Sequence, residues 1–189
     1  MKLGFITAIC DGMTFEEVVD FAASHDLECL EVACWPRGKA QRRYAGVSHI
    51  DVAEMNEEKA AYLTAYCQKK GVEISSLAYY PNTLDPDPEK RASYIKHLYK
   101  LIDASAMLGV NMVTTFVGRD PKKTVSENLE TVKEVWPPIV KYAEEKGVKI
   151  AIENCPMLFT EDEWPGGQNL MTSPANWRKV FEILDSPNF

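Results

Sequence analysis

A carboxylate at the end of a short apolar run is the residue of this chain best placed for chemistry. Glu153 follows the run 149–152 and opens the polar stretch 153–155 ahead of Pro156. A carboxylate in that position can bind a hard divalent cation or act as a general base. A glutamate at a strand end can equally be held in a salt bridge with a neighbouring side chain. Residue type and position alone leave both interpretations open.

The element that carries Glu153 belongs to an internal repeat. Segments with the pattern Gly-Val-polar-apolar begin at Gly71, Gly109 and Gly147, spaced 38 residues apart. In each of them an amphipathic helix ends at the glycine, which readily takes the left-handed conformation of a helix C-terminus. A short apolar run follows, and such runs are typical of strands buried on both faces of a parallel sheet.

The repeat predicts five strands and five helices in alternation. The strands are expected at 3–9, 29–34, 74–80, 112–117 and 149–152. Helix starts are indicated by N-terminal capping signals and by proline in the first turn, at Thr14, Asn56, Asp87-Pro88, Ser126 and Ser173-Pro174. The second helix is expected to end at Lys70. Pro137 and Pro138 are expected to kink or split the fourth helix, because proline lacks the N–H donor.

The helices have apolar residues at helical spacing, which predicts the faces that pack inward. For the first, third, fourth and fifth helices these faces are Phe15, Val18, Val19 and Ala22; Ile95, Leu98, Tyr99, Ile102 and Ala106; Leu129, Val132, Trp136, Ile139 and Ala143; and Trp177, Val180, Phe181 and Leu184.

Alternation of strand and helix predicts an α/β fold with a parallel sheet and right-handed crossovers. A doubly wound open sheet and a (β/α)8 TIM barrel both fit this order. No G-x-G-x-x-G or G-x-x-x-x-G-K-[ST] pattern follows the first strand, and the even repeat favours the barrel. Such barrels typically take about 250 residues. Residues 1–189 are therefore expected to form a single TIM-barrel domain truncated to about five βα units, with strands 6–8 missing.

Composition restricts the classes of partner. The formal net charge is −7 and the pI is about 5.1. The richest basic stretch, 37–43, is explained by a solvated loop, so nucleic acid and anionic membranes are not expected partners. No signal-peptide pattern or apolar stretch of about 18 residues is found, which predicts a cytoplasmic protein. The five scattered cysteines predict buried reduced thiols.

Several segments resemble the xylose isomerase-like barrels, the superfamily of sugar phosphate isomerases and epimerases that also contains apurinic endonuclease-type enzymes and inosose dehydratases. The most specific is Ile-Glu-Asn-Cys-Pro-Met at 152–157, and the resemblance spans essentially the whole chain. The other segments are Trp35-Pro36, His49-Ile50-Asp51-Val52, Gly166-Gly167-Gln168-Asn169 and Ser173-Pro174-Ala175-Asn176-Trp177.

The resemblance implies a mononuclear site for Mn²⁺, Mg²⁺ or a similar ion, which favours a metal-ligand role for Glu153. The family's usual ligands are a Glu ending strand 5, an Asp ending strand 6, a His on strand 7 and a Glu on strand 8. Only the first maps onto this chain, at Glu153, and the other three are expected beyond Phe189. The divalent metal is thus expected only if those ligands are supplied.

The activity that the resemblance implies is a metal-dependent sugar or sugar-phosphate isomerase or epimerase, which abstracts a proton next to a carbonyl with Glu153 as a catalytic residue. One alternative is an inosose dehydratase-like lyase on the same fold. A second is a non-catalytic truncated half-barrel that self-associates through its open edge. A DNA-repair endonuclease is disfavoured by the acidic charge and by only three histidines.

The resemblance also implies substrate contacts at four residues around the expected barrel mouth. His49 is expected to hydrogen-bond a sugar hydroxyl or to reach the metal through water, or else to bond to backbone as a loop histidine. Trp35 and Tyr80 are expected to form apolar walls for the sugar, or else to pack in the core. Asn154 follows the proposed ligand and is expected to orient it.

Overall fold

A computed structural model describes residues 1–38, 45–158 and 167–189. The basic residues Lys39, Arg42 and Arg43, and Gly166 of the Gly-Gly pair, lie outside these ranges. The elements alternate as predicted: β1 (Gly4–Ile6), α1 (Phe15–Ser24), β2 (Cys29–Ala33), α2 (Glu57–Lys70), β3 (Glu73–Ala78), α3 (Pro88–Met107), β4 (Met112–Thr115), α4 (Val125–Glu145), β5 (Lys149–Ile152) and α5 (Pro174–Leu184). Short 3₁₀ turns add Thr7–Ile9 and Val52–Glu54. In the described ranges the strand order is β1-β2-β3-β4-β5.

The chain divides into two compact units. The first contains residues 1–79 and 100–113, and the second contains residues 80–99 and 114–189. No α-helix among the described residues has the length and apolar character that a bilayer crossing requires.

The first unit contains the parallel strands β1, β2 and β3. Gly4 pairs with Cys29, and Cys29 pairs with Glu73. A Cβ added at Gly4 would lie 1.9 Å from the carbonyl oxygen of Cys29, so only glycine fits this close approach of β1 to β2. The predicted inward face of α1 is buried throughout, and its capping box at Thr14 is present.

Strand β1 is shorter than predicted because a side chain ends it. The predicted strand 3–9 ends at Ile6, where the turn Thr7–Ile9 begins. The Thr7 hydroxyl oxygen accepts the N–H of Ala33 (2.9 Å), so a side chain takes the place of a backbone partner. Strands β2, β3 and β4 likewise end one or two residues before their predicted limits. Apolar side chains continue past each of these strand ends. The apolar pattern alone therefore does not mark where backbone pairing between strands stops.

The second unit is built around α4, whose predicted start and predicted split at the proline pair are both wrong. The helix begins at Val125 rather than at Ser126, because Thr124 and Glu127 form a reciprocal capping box. It also continues unsplit through Pro137 and Pro138 to Glu145. Its predicted inward face is buried throughout, and this packing offsets the hydrogen bonds that the two prolines cannot make.

The C-terminal residues pack on the second unit's core. The N–H of Ile150 in β5 donates to the carbonyl of Asn188 (2.7 Å), and Asn188 Nδ2 donates to the carbonyl of Val148 (2.9 Å). The Phe189 ring lies edge-on to Trp136, 5.5 Å between centroids. The outer side of β5 is therefore partly covered by the chain's own last residues.

The predicted faces of α3 and α5 need adjustment. In α3 the fully buried residues include Leu101, which the pattern missed, whereas Ile95, Tyr99 and Ala106 are half-buried. In α5 only Val180 is fully buried, and Phe181 is exposed. All five cysteines are described and none forms a disulfide; Cys34 and Cys67 are buried, and burial raises the pKa of the Cys67 thiol to about 11.

Candidate functional site

The end of β5 holds Glu153 by its main chain from two sides. The Glu153 N–H donates to the carbonyl of Thr115 at the end of β4 (3.1 Å). The Glu153 carbonyl accepts a hydrogen bond from Asn169 Nδ2 (2.9 Å). The Glu153 side chain is exposed. An accessible carboxylate on a fixed backbone is the arrangement that a metal ligand or a general base needs.

Asn169 is the residue of this site that the sequence did not predict as functional. It is fully buried, and its Nδ2 also donates to the carbonyl of Cys155 (2.7 Å). The signal that could have found it is an amide placed directly before the apolar pair Leu170-Met171. An amide in such a place must satisfy its donors internally.

Asn154, predicted to orient Glu153, lies next to it with an exposed side chain. The two carbonyls that Asn169 binds are those on either side of Asn154 in the chain, Glu153 and Cys155. The orientation of the Glu153 main chain is thus supported by Asn169. The role of Asn154 in substrate binding stays a prediction.

Amide and hydroxyl side chains also tie together the loops that follow β3 and β4. Asn82 binds the backbone of Arg119 on both sides, donating to its carbonyl and accepting from its N–H, each at 2.8 Å. Thr83 Oγ1 donates to the carbonyl of Val117 (2.6 Å). Gly118 has φ of +83°, and an added Cβ would lie 2.4 Å from Asn82 Oδ1. These contacts fix the loop that follows the strand next to Glu153.

Tyr80, predicted as a wall for the sugar, lies in the second unit just after β3. Its ring packs at 4.7 Å from the ring of Phe116, with 46° between the planes, and it is half-buried. An aromatic pair with one accessible member is compatible with core packing and with a substrate wall.

Trp35 lies in the first unit and is 9% exposed. Its ring contacts Tyr79 edge-to-face, with 6.0 Å between centroids. The backbone N–H of Trp35 donates to the carbonyl of Val47 (3.3 Å), which brings the chain after residue 45 back to the end of β2. Most of the Trp35 ring is therefore used in packing, and its predicted sugar contact is limited to the exposed edge.

His49, in the same unit, has both ring nitrogens in internal hydrogen bonds. Nε2 lies 3.2 Å from the carbonyl oxygen of Cys10, and Nδ1 lies 2.9 Å from the Thr7 hydroxyl. A carbonyl oxygen can only accept, so Nε2 carries the proton and Nδ1 of the neutral ring accepts from Thr7. A sugar hydroxyl would have to displace one of these bonds, and the predicted contact at His49 stays a prediction.

The pKa of His49 is lowered from its ordinary value by burial, which disfavours the charged imidazolium. The unfolded chain therefore takes up the proton first, and the stabilisation by neutral His49 is complete above about pH 6.5 and is lost as pH falls through the folded pKa. We expect the free energy of unfolding to decline less between pH 7 and pH 5 in His49→Gln than in the wild type. Urea unfolding at several pH values measures this, and parallel curves would contradict it.

A divalent metal needs more ligands than this strand end supplies. Glu153 is one carboxylate, and in the described parts of the chain no group of three or more His, Cys, Asp or Glu side chains is placed to hold a metal ion. Residues 1–38, 45–158 and 167–189 therefore do not complete a metal site by themselves.

Comparison with known proteins places the chain in a family. The xylose isomerase-like TIM barrel family matches residues 19–189, and the chain belongs to that family. The α/β fold with five parallel strands and five helices, matching part of a TIM barrel, confirms the predicted fold class. No curated protein matches the sequence.

Solved structures match the whole chain. A D-psicose 3-epimerase with D-tagatose from Clostridium cellulolyticum H10 is 17% identical with a TM-score of 0.70, and 100% of this chain covers 61% of that one. A probable 3-DHS dehydratase of petrobactin synthesis from Bacillus anthracis is 18% identical, with a TM-score of 0.67 and coverage of 100% and 61%. An IOLI protein with a bound zinc atom is 16% identical, with a TM-score of 0.68 and coverage of 100% and 60%. The chain thus spans about three fifths of the length of these neighbours.

Proposed function

We propose that the protein is a metal-dependent isomerase or epimerase of a sugar or sugar phosphate that acts by proton abstraction next to a carbonyl. The observation that carries the proposal is the placement of Glu153 at the end of β5. Its side chain is exposed, and its main chain is held by hydrogen bonds on both sides. Membership of the xylose isomerase-like family supports it. Structural neighbours named as epimerases, one of them with D-tagatose, are consistent with it.

The proposed role of Glu153 is acid-base chemistry at a carbon next to a carbonyl. The C–H bond of the sugar breaks, the proton passes to the carboxylate, and the electron pair moves toward the carbonyl to give an enediolate. Return of a proton to the neighbouring carbon gives the isomer, and return to the opposite face of the same carbon gives the epimer. A carboxylate held near the reacting carbon contributes typically about 10²–10⁴-fold to such a step.

The proposal also makes Glu153 one ligand of a divalent ion such as Mn²⁺ or Mg²⁺. Such an ion would stabilise the negative charge that develops on the two sugar oxygens. The remaining ligands would come from outside the described residues. The neighbour with a bound zinc atom gives this part of the proposal its support.

Substrate contacts are proposed at Trp35, His49, Tyr80 and Asn154. Tyr80 and Asn154 are accessible as they stand. Trp35 would contribute only its exposed edge, and His49 would have to exchange an internal hydrogen bond for a sugar hydroxyl. Self-association through the edge at β5 also stays a proposal, and Asn188 already covers part of that edge.

The test follows deuterium uptake from D₂O. Ketohexoses, including D-tagatose and D-fructose, and inososes are incubated with the 189-residue chain, and with any longer product of the same reading frame, with added Mn²⁺ or Mg²⁺. We expect deuterium at the carbon next to the carbonyl, together with an isomeric or epimeric product that is lost with a chelator.

Two results would replace the proposal. Loss of water from an inosose would identify a dehydratase-type lyase, an alternative favoured by the dehydratase among the structural neighbours. Absence of any deuterium uptake across the panel in every form of the protein would favour the non-catalytic half-barrel.

A further inference from the structure

The segment 167–171 approaches the end of β5, and its most buried polar residue binds the main chain around Glu153. We propose that Asn169 is a positioning residue that fixes the direction in which Glu153 presents its carboxylate. This inference rests on the proposed function of Glu153. Asn169 itself is fully buried and is not proposed to touch the substrate.

Asn169 uses both of its amide N–H donors on the main chain around Glu153. The Asn169 amide has two N–H donors, and it makes one bond to the Glu153 carbonyl at 2.9 Å and one to the Cys155 carbonyl at 2.7 Å. Carbonyls two residues apart lie on the same side of an extended backbone, so one amide can bind both of them. The two bonds to Asn169 therefore restrict the backbone of 153–155.

Both peptide groups of Glu153 are hydrogen-bonded. Its N–H donates to the Thr115 carbonyl at 3.1 Å, while its own carbonyl accepts from Asn169. Holding both peptide groups fixes the Cα–Cβ direction, which leaves only side-chain torsions to move the carboxylate. Positioning of this kind reduces the entropy lost when a reacting group reaches its productive geometry.

The residues on both sides of Asn169 are held by backbone hydrogen bonds. The N–H of Gln168 donates to the Pro156 carbonyl at 3.1 Å, and the N–H of Leu170 donates to the Gly118 carbonyl at 3.0 Å. Gly167 has φ of +60°, and an added Cβ would lie 1.9 Å from the oxygen of Pro156. The segment therefore returns to the strand end at a place where only glycine fits.

The far side of the segment is tied to α5. Asn176 Nδ2 donates to the Leu170 carbonyl at 2.8 Å, and Trp177 Nε1 donates to the Met171 carbonyl at 3.1 Å. The segment that contains Asn169 is thus hydrogen-bonded to the first turn of α5.

The same unit contains a matched control. Asn128 is also fully buried, and its Nδ2 donates to the carbonyls of Asp120 and Thr124 at 3.1 and 2.9 Å. It holds the loop between β4 and α4, and neither of these bonds involves residues 153–155. Asn128→Ala should therefore reproduce the structural cost of losing a buried amide without releasing Glu153.

The experiment compares Asn169→Ala, Asn169→Asp and Asn128→Ala with the wild type. Hydrogen exchange at the Glu153 amide is measured by NMR and corrected for global stability from urea unfolding. We expect exchange at Glu153 to accelerate about tenfold or more in both Asn169 variants, because local opening no longer breaks the Asn169 bonds, and to stay unchanged in Asn128→Ala.

Turnover provides the reading that a purely structural role would not change. With the substrate found in the deuterium test, we expect kcat to fall about 10–100-fold in Asn169→Ala with KM within about twofold, as for other outer-shell supports of a site. In Asn169→Asp a carboxylate faces two carbonyl oxygens, so its kcat relative to the wild type should recover as pH falls and protonation restores one donor. Asn169→Asp also keeps the side-chain volume if the alanine variant does not fold.

The outcomes test the positioning role of Asn169 separately from the proposed function of Glu153. Exchange at Glu153 that is equally fast in the Asn169 and Asn128 variants would overturn the positioning role, as would unchanged kcat in both Asn169 variants. If the wild type turns over no substrate, the proposed function fails, and the exchange comparison still decides whether Asn169 holds Glu153.

Discussion

Replacing Glu153 by glutamine is expected to lower kcat/KM by about a thousandfold, within the range that a positioned acid or base contributes. Glutamine keeps the length of the side chain, and the backbone bonds to Thr115 and Asn169 do not involve the side chain. The change therefore removes the ionisable group and leaves the strand end in place. Steady-state kinetics on the substrate found by deuterium uptake measure the effect.

Glu182→Gln is the matched control for this substitution. Glu182 is exposed on α5 in the same unit, and its replacement changes the net charge by the same amount. We expect its kcat/KM to stay within about twofold of the wild type, as for a surface substitution away from the site. Retention of more than a tenth of wild-type kcat/KM in Glu153→Gln would remove Glu153 from the chemistry.

Trp136→Ala is expected to have the largest effect on stability, about 3–5 kcal/mol in the free energy of unfolding. The Trp136 side chain is fully buried, and its ring packs on Phe189. Its Nε1 donates to the carbonyl of Val117 at 3.1 Å, in the loop that follows β4. The substitution leaves a cavity beside α4, next to Pro137 and Pro138, where packing offsets the missing backbone hydrogen bonds. Urea unfolding followed by circular dichroism measures it.

Trp136→Phe separates packing from hydrogen bonding. The Val117 carbonyl keeps a second donor, because Thr83 Oγ1 lies 2.6 Å away. The Val117 carbonyl therefore stays hydrogen-bonded when the indole N–H is lost. We expect this lost bond to lower the free energy of unfolding by only about 1 kcal/mol. A loss in Trp136→Phe as large as that in Trp136→Ala would show that the indole hydrogen bond, rather than ring packing, stabilises this part of α4.

Local patterns in the sequence were sufficient for the order and type of the elements. The 38-residue spacing of Gly71, Gly109 and Gly147 reports on helix ends and strand starts, which are decided by residues within a turn of one another. Element limits were less well predicted. At α4 two adjacent capping signals compete, and Thr124 prevails over Ser126 because Glu127 completes the reciprocal pair.

Whether α4 continues through Pro137 and Pro138 depended on tertiary contacts, which residues close in sequence do not determine. An isolated helix would lose stability at each proline. In this protein Trp136 and Ile139, on either side of the pair, are fully buried, so the surrounding packing keeps α4 in one piece. Tertiary contacts override helix propensity here.

The sequence by itself determined the family, the alternation of strands and helices, and the place of Glu153 at a strand end. Only the tertiary structure decided which polar side chains hold the backbone around it. Asn169 reaches Glu153 across 16 residues of chain, and Thr7 reaches His49 across 42. Such pairs depend on where each loop returns. A buried amide or imidazole must then find its partners among whichever backbone groups lie there.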